Sequence, residues 1–229
     1  LRAQEQASRR VLPGLAHEIR NPLAGLRGAT QLLDGELADP ALREYTGIVL
    51  REVDRLRDLV ERMVGPVQAP RPAPMNIHEV TEDVAVLLRA EAGPGVAVRT
   101  DYDPSIPELQ ADRDQLVQAL LNLGRNALQA VSEHGTVSLR TFTLRQFTVR
   151  GTRHRLVAAI EVADDGPGIA PELRDTLFQP MVSGRAEGSG LGLTIAQSLV
   201  GRQGGLIECD SGDGGTVFRM LLPLEAGDE

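Results

Sequence analysis

The sequence predicts an α+β chain in two parts, an antiparallel helical hairpin followed by helices layered over one face of a mixed sheet. Three observations carry this. Apolar residues recur every seven positions as far as Met63, a proline-rich stretch then interrupts the chain, and beyond it helical and strand periods mix.

Leu12, Ile19, Leu26 and Leu33 lie seven apart, with Ala16, Leu23 and Leu37 each four residues after a member of the series, as a packed helical stripe requires. Leu42, Val49, Leu56 and Met63 repeat the spacing, accompanied by Tyr45, Val53, Leu59 and Val60. Between the two runs, "ELADPAL" places Pro40 near the first position of a second helix. A lone pair of helices has too little core to stand by itself, so the heptad predicts pairing with a second copy, a homodimer built as a four-helix bundle. Gly65 to Pro74 reads "GPVQAPRPAP", whose four prolines cannot continue a helix and favour an extended connection. The expected organisation is therefore a hairpin over 1–66, a linker over 67–74 and a second domain over 75–229.

In that second domain the pattern predicts helices over residues 80–92, 116–131 and 194–202. Residues 137–149 and 155–163 are expected to form a long hairpin turning near Gly151, and strands are expected over 206–209 and 216–222 with "SGDGG" between them.

Composition removes several classes of function. The chain of 229 residues carries a net charge of -8, and every basic side chain is an arginine. Without lysine there is no phosphate loop of the G-x-x-x-x-G-K type, no strand lysine of the eukaryotic-kinase kind and no lysine imine chemistry. The single cysteine, Cys209, can form neither an internal disulfide nor a cysteine-based zinc site. No apolar run approaches the roughly 18 to 20 residues that span a bilayer, and the opening Leu1 reads as the start of a fragment with something upstream. Aromatics are 3% of the chain, too few for a base-stacking surface, and neither charge distribution nor motif points to nucleic acid. Charge is divided unevenly. Arginines balance acids through residue 66, and the whole acidic excess lies beyond it.

On the heptad phase set by Leu12 and Ile19, His17 falls away from the apolar stripe, and Asn21 follows four residues later on the same side. Pro22 removes a backbone donor one turn on and is expected to bend the helix near Glu18. A lone surface histidine is most often a solvated side chain without a role; the bend and the neighbouring carboxylate set this one apart. Glu18 can accept the proton of one ring nitrogen and leave the other as an unprotonated nucleophile near neutral pH.

The segment "HEIRNPL", on the first helix of a hairpin, resembles the H-box of the dimerisation and phosphotransfer domain of sensor histidine kinases. Each of the remaining motifs also has a chemistry of its own. In "LVQALLNLGRNALQAV", Asn122 and Asn126 sit one turn apart in a Leu/Ala-rich helix. Two carboxamides offer oxygen to a hydrated Mg²⁺ and nitrogen to phosphate, in a position where asparagine is otherwise disfavoured. The stretch is similar to the N-box, which implies Asn126 as the Mg²⁺ ligand; Arg125 and Gln129 lie within reach of a nucleotide. "DDGPGI" allows a close-approaching backbone at Gly166 and Gly168 after an acidic side chain. It resembles the G1 box, which implies that Asp164 accepts a hydrogen bond from the exocyclic amine of adenine. Asp165 stands where asparagine is usual.

"EGSGLGLTIAQSLV" puts Gly188, Gly190, Leu191 and Gly192 before a helix whose free N–H groups can hold phosphate without lysine. It resembles the G2 box. "LFQPM", Leu177 to Met181, resembles the F-box, and the residues between form a short lid in which Arg185 is the expected contact to the transferred phosphate. "GGTVFRMLLP" fits the last strand of the same fold, with Thr216 at the nucleotide.

These motifs, in family order over residues 12–223, imply a fold of the GHKL (Bergerat) type, an α/β sandwich that binds ATP and Mg²⁺. The implied reaction is phosphorylation of His17 Nε2 from MgATP with Glu18 polarising the ring, followed by transfer to an aspartate of a response-regulator receiver domain. Asn21 would orient water in the reverse, phosphatase direction. "AHEIRNPLAGLRGATQLL" and "LFQPMVSGR" are most similar to the nitrogen-regulation sensor kinases. That similarity implies an upstream sensory domain, a cytoplasmic location and a PII-type signalling protein as a further partner. Two rival readings remain: a conformational ATPase that keeps the fold, related to the gyrase and Hsp90 nucleotide domains, which never traps a phosphorylated residue, and a dimeric adaptor without phosphotransfer whose nucleotide site has lost its catalytic use.

Overall fold

The structure is a computed structural model that describes residues 21–37, 39–64, 69–179 and 190–224. The chain divides into two compact units, Leu1–Gln68 and Ala69–Glu229.

In the first unit, helix α1 is described over 21–36 and α2 spans Pro40–Val64. Pro40 stands at the first helical position, where its missing N–H costs nothing, and Arg43 N–H donates to Asp39 O at 3.2 Å. Polar ties hold the pair antiparallel: Arg27 Nε donates to Asp54 Oδ1 at 2.9 Å, and the Thr46 hydroxyl bonds Asp34. Leu23 and Val53 are the buried apolar side chains of this unit among the described residues. The heptad residues Leu26, Leu33, Leu42, Val49 and Leu56 are instead 43–54% exposed. The stripe that the sequence marks as a core therefore faces outward from the single chain.

The second unit is built on a five-stranded sheet. Its strands are β2 (Val96–Tyr102), β4 (Gly135–Val149), β5 (Thr152–Asp164), β7 (Gly215–Pro223) and β6 (Leu206–Gly212), adjacent in that order. β2 runs parallel to β4 and every other pairing is antiparallel, which gives the expected mixed sheet. Helices α3 (Ile77–Glu91), α4 (Arg113–Val131) and α6 (Gly192–Arg202) pack on it, with a one-turn α5 at Pro171–Arg174. Strands β1 (Ala73–Met75) and β3 (Leu109–Ala111) form a separate antiparallel pair.

Several boundaries differ from the sequence reading, for identifiable reasons. α3 begins at Ile77 because Asn76 Oδ1 accepts from His78 N–H at 2.9 Å, and α4 begins at Arg113 because Asp112 accepts from Gln115 N–H at 3.1 Å. Each cap starts its helix three residues before the apolar pattern does. β1, β2, β3 and α5 were not expected at all. β1 lies within the proline-rich stretch, where Pro74 is tolerated because the strand has a partner on one side only.

The main core lies between α4, α6 and the helix-facing side of the sheet. Leu116, Leu120 and Leu123 of α4, Leu199 of α6, and Ile160, Phe218 and Met220 of the sheet are fully buried or nearly so. The opposite sheet face carries a smaller apolar cluster, Val149, Val157, Ala159 and Leu221, with Phe142, Leu144, Phe147 and Leu206 against it. Left-handed backbone at Gln146 (φ 53°) interrupts the pleat of β4, so Phe147 and Val149 join Phe142 and Leu144 on that face. The hairpin then turns through Arg150 and Gly151, both at positive φ, the geometry that suits a two-residue connection between twisted strands.

Leu120 sits in the middle of α4, between the sheet and its neighbouring helices, so Leu120→Ala should lower the unfolding free energy of the second unit by about 2–5 kcal/mol. Val86→Ala, at a site 55% exposed, should change it by less than about 0.5 kcal/mol. Urea titrations of both variants check this; equal effects would contradict the assigned core.

Candidate functional site

The residues singled out in the sequence fall into two groups. His17 and Glu18 of the first unit, and Gly188 and Arg185 of the second, lie outside the described residues. Asn21 is exposed on α1. The rest, Asn122, Asn126, Asp164, Gly166, Gly168, Gly190, Leu191, Gly192 and Thr216, belong to three structural pieces of the second unit that meet at one end of the sheet.

The first piece is the face of α4. Asn122 and Asn126 are both half-buried one turn apart, and Asn122 Nδ2 is buried with no hydrogen-bond partner among the described residues. A buried donor left unpaired is costly, so this amide is suited to an acceptor brought by a ligand.

The second piece is the start of α6. Leu191, 2% exposed, precedes the helix and its carbonyl accepts from Ile195 N–H at 2.9 Å. Leu191 offers no side-chain cap, so among the described residues the first-turn N–H groups of Gly192, Leu193 and Thr194 lack the usual capping oxygen. A Cβ added at Gly192 would lie 4.0 Å from Asn122 Cβ, which places the helix end against the α4 asparagine face. Thr194 Oγ1 donates to Phe178 O at 3.2 Å, tying α6 to the segment that resembles the F-box.

The third piece is the loop after β5. Asp164 ends the strand, 6% exposed, and its Oδ1 accepts from Gly166 N–H at 3.0 Å. Asp164 pairs across the sheet with Thr216 of β7, itself 3% exposed. Two glycines make these approaches possible. Gly215, at φ 121°, lies so close to the Asp164 carbonyl that no side chain fits. Gly168, at φ 78°, does the same against the Gly212 carbonyl. Gly166 meanwhile abuts the Ala130 carbonyl on α4, where an added Cβ would lie 2.9 Å from the oxygen. The loop is thereby held between α4 and the β6–β7 turn.

Two neighbours behave differently from the sequence reading. Arg125 does not turn to the asparagine face: its guanidinium forms a two-point ion pair with Glu91 of α3, with Nε 2.9 Å from Oε2. That hydrogen bond holds the Glu91 carboxyl below its usual range. Asp165 is occupied structurally, its Oδ1 accepting from Thr136 N–H at 2.7 Å at the start of β4. Gln129 is exposed. Sequence reasoning also missed Ser211, whose hydroxyl accepts from Ile169 N–H at 2.8 Å; the "SGDGG" turn was its only signal.

The donor set is asymmetric. One end offers N–H groups, from Asn122 and the start of α6, to an anion. The other offers a carboxylate, Asp164, to a hydrogen-bond donor. Between them the site suits a molecule with an amine at one end and phosphate oxygens at the other, and no lysine is needed because the helix end and backbone dipoles supply positive potential.

Comparison with known proteins agrees with this geometry. Residues 111–226 match the family described as histidine kinase-, DNA gyrase B-, and HSP90-like ATPase, and residues 7–65 match the His Kinase A (phospho-acceptor) domain. A protein of Proteus hauseri named sensory histidine kinase/phosphatase NtrB is 53% identical over 224 residues, which are 97% of this chain and 64% of that protein. The protein of the same name from Salmonella typhimurium is 52% identical over 223 residues, with the same coverage. The chain thus spans just under two thirds of the length of these relatives. Among solved structures, that of full-length ShkA in complex with AMPPNP is 29% identical, with a TM-score of 0.65 over 95% of this chain and 46% of that one. From the asparagine face, the glycine-held loop, the uncapped helix end and these matches together, the chain belongs to the family of histidine kinase-, DNA gyrase B- and HSP90-like ATPases.

Proposed function

We propose that the chain is the transmitter part of a sensor histidine kinase of the nitrogen-regulation type, which phosphorylates His17 from MgATP, passes the phosphate to an aspartate of a response-regulator receiver domain, and also works in the phosphatase direction. The observation that carries the reading is the meeting of Asn122 with the uncapped start of α6, beside a loop that fixes Asp164. The NtrB relatives, named as both kinase and phosphatase, support it.

In this reading Asp164 accepts the exocyclic amine of adenine, which favours ATP over GTP, with Thr216 beside it. Asn122 Nδ2 and the N–H groups after Gly190 and Leu191 hold phosphate oxygens, and Gly188 and Arg185 extend that hold over the outer phosphates. Among the described residues no group of three or more acidic, histidine or cysteine side chains is arranged to hold a metal. Asn126 Oδ1 would hold Mg²⁺, a hard cation that suits an oxygen donor. Bound MgATP supplies the phosphoryl group, with the metal offsetting its charge. His17 Nε2 would attack the γ-phosphorus, with ADP as the leaving group, while Glu18 holds the proton on the other ring nitrogen; the receiver carboxylate would then take the phosphoryl group from His17 and leave the imidazole free. Asn21, exposed and four residues after His17 in sequence, orients water for the reverse reaction.

The outward apolar stripe of the first unit supports a homodimer. Five residues of the heptad are 43–54% exposed in the single chain, and a second hairpin would bury them. A cytoplasmic location and a PII-type partner complete the proposal. No described helix is long and apolar enough to cross a membrane.

Two experiments test this reading. With labelled ATP the wild-type protein should acquire acid-labile phosphate, whereas His17→Gln should bind MgATP yet acquire none. Labelling that persists in the variant would overturn the assignment of His17, and release of inorganic phosphate without any labelled protein would favour the conformational ATPase. Asp164→Asn keeps the oxygen that accepts from Gly166 but puts a donor where the adenine amine donates. It should weaken ATP binding by about 10- to 100-fold, measured by calorimetry, with the melting temperature of the free protein little changed. Unaltered affinity would remove Asp164 from the base-recognition site.

A further inference from the structure

Asp164, Thr216 and Ser211 lie on one register line across three adjacent strands: Asp164 of β5 pairs with Thr216 of β7, and Thr216 pairs with Ser211 of β6. In a sheet, directly opposed residues point to the same face, so a carboxylate and two hydroxyls form a polar row. The next residues on that face, Phe218 and Val162, are fully buried and apolar. A row of three polar side chains at the edge of an apolar face calls for an explanation.

Ser211 is the hub of the row. Its Oγ accepts from Ile169 N–H at 2.8 Å, lies 3.0 Å from Thr216 Oγ1, and donates to Gly215 O at 3.2 Å. One hydroxyl therefore contacts the loop that carries Gly166 and Gly168, the turn that carries Gly215, and the side chain opposite Asp164. Gly168 is pressed against the same place, where an added Cβ would come 3.3 Å from Ser211 Oγ. A serine hydroxyl has one hydrogen and two lone pairs, and these three neighbours use that capacity. Ser211 is only partly buried, and packing alone would be met equally well by alanine.

We propose that Ser211 is a positioning residue for recognition of the base: through Ile169 and Thr216 it holds the loop and the Thr216 hydroxyl in register with Asp164. The inference rests on the nucleotide-site reading above and deepens it. It assigns the role to a residue at the base end of the site, remote from the groups that hold phosphate, and so predicts a particular kinetic signature. Loss of the hydroxyl should act on nucleotide affinity and on the preference for ATP over GTP, and leave the transfer step alone. Threonine keeps a hydroxyl on the same carbon and is at home in a strand, so it should restore what alanine removes.

The experiment compares the wild-type chain with Ser211→Ala and Ser211→Thr. Dissociation constants for ATP and GTP are measured by calorimetry, and the rate of labelling is measured as a function of ATP concentration. Ser211→Ala should raise the ATP dissociation constant and KM about tenfold, narrow the gap between ATP and GTP, and leave the rate at saturating ATP within about twofold. Ser211→Thr should bind ATP like the wild type. Unchanged affinity in the alanine variant, a loss confined to the saturating rate, or failure of threonine to restore binding would each overturn the inference. Melting temperatures of the nucleotide-free variants show whether the fold is kept. A wild-type chain that binds no MgATP would overturn both this inference and the reading beneath it.

Discussion

The site depends on close approach of backbone to backbone. In a chain with net charge -8 and no lysine, much of the positive field at the site comes from N–H groups and carboxamides fixed in place. Such dipoles act over short distances, and they serve only if the elements that carry them are held to within a fraction of an ångström. The glycines supply that. Gly215 lets β7 close on the end of β5 at Asp164, Gly168 seats the following loop on the β6–β7 turn, and Gly166 brings the same loop against Ala130 of α4. A side chain at Gly215 would meet a carbonyl that cannot move without breaking the β5–β7 ladder.

The two units solve different physical problems. The second has a core of its own, with α4 buried along Leu116, Leu120 and Leu123, and its site rests on that rigid base. Among the described residues the first buries little within itself: Leu23 and Val53 are inside, while Leu26, Leu33, Leu42, Val49 and Leu56 of the heptad stripe stay open and polar ties such as Arg27 with Asp54 hold the antiparallel pair. An apolar stripe of this length on an exposed surface is unfavourable unless a partner covers it, and self-pairing is the arrangement that a heptad repeat encodes.

Much of this architecture was legible in the sequence because helical periodicity is local. The apolar faces of α3, α4 and α6 and the long β4–β5 hairpin with Gly151 at its turn were all visible, and the N-termini of α3 and α4 were misplaced only because capping by Asn76 and Asp112 outruns the apolar pattern. β2 was missed although Val96, Val98, Thr100 and Tyr102 alternate with polar or small residues, because that strand is defined by parallel pairing with β4, some forty residues on, which no local pattern announces. Arg125 shows a different limit. It adjoins Asn126 in sequence, but consecutive helical residues face about 100° apart, and the one turns to Glu91 while the other stays on the asparagine face. Ser211 escaped notice for a similar reason, since its meaning comes from the registers of β5, β7 and β6 together.

Amide hydrogen exchange, read residue by residue with and without MgATP, tests most directly whether backbone groups hold the anion. Slower exchange at Gly192, Leu193 and Thr194 and at the Gly166–Ile169 loop, with α3 unaffected, is the result expected when the uncapped helix end binds phosphate and the loop carries the base. Nucleotide binding that leaves the start of α6 exchanging at its free rate would contradict the account.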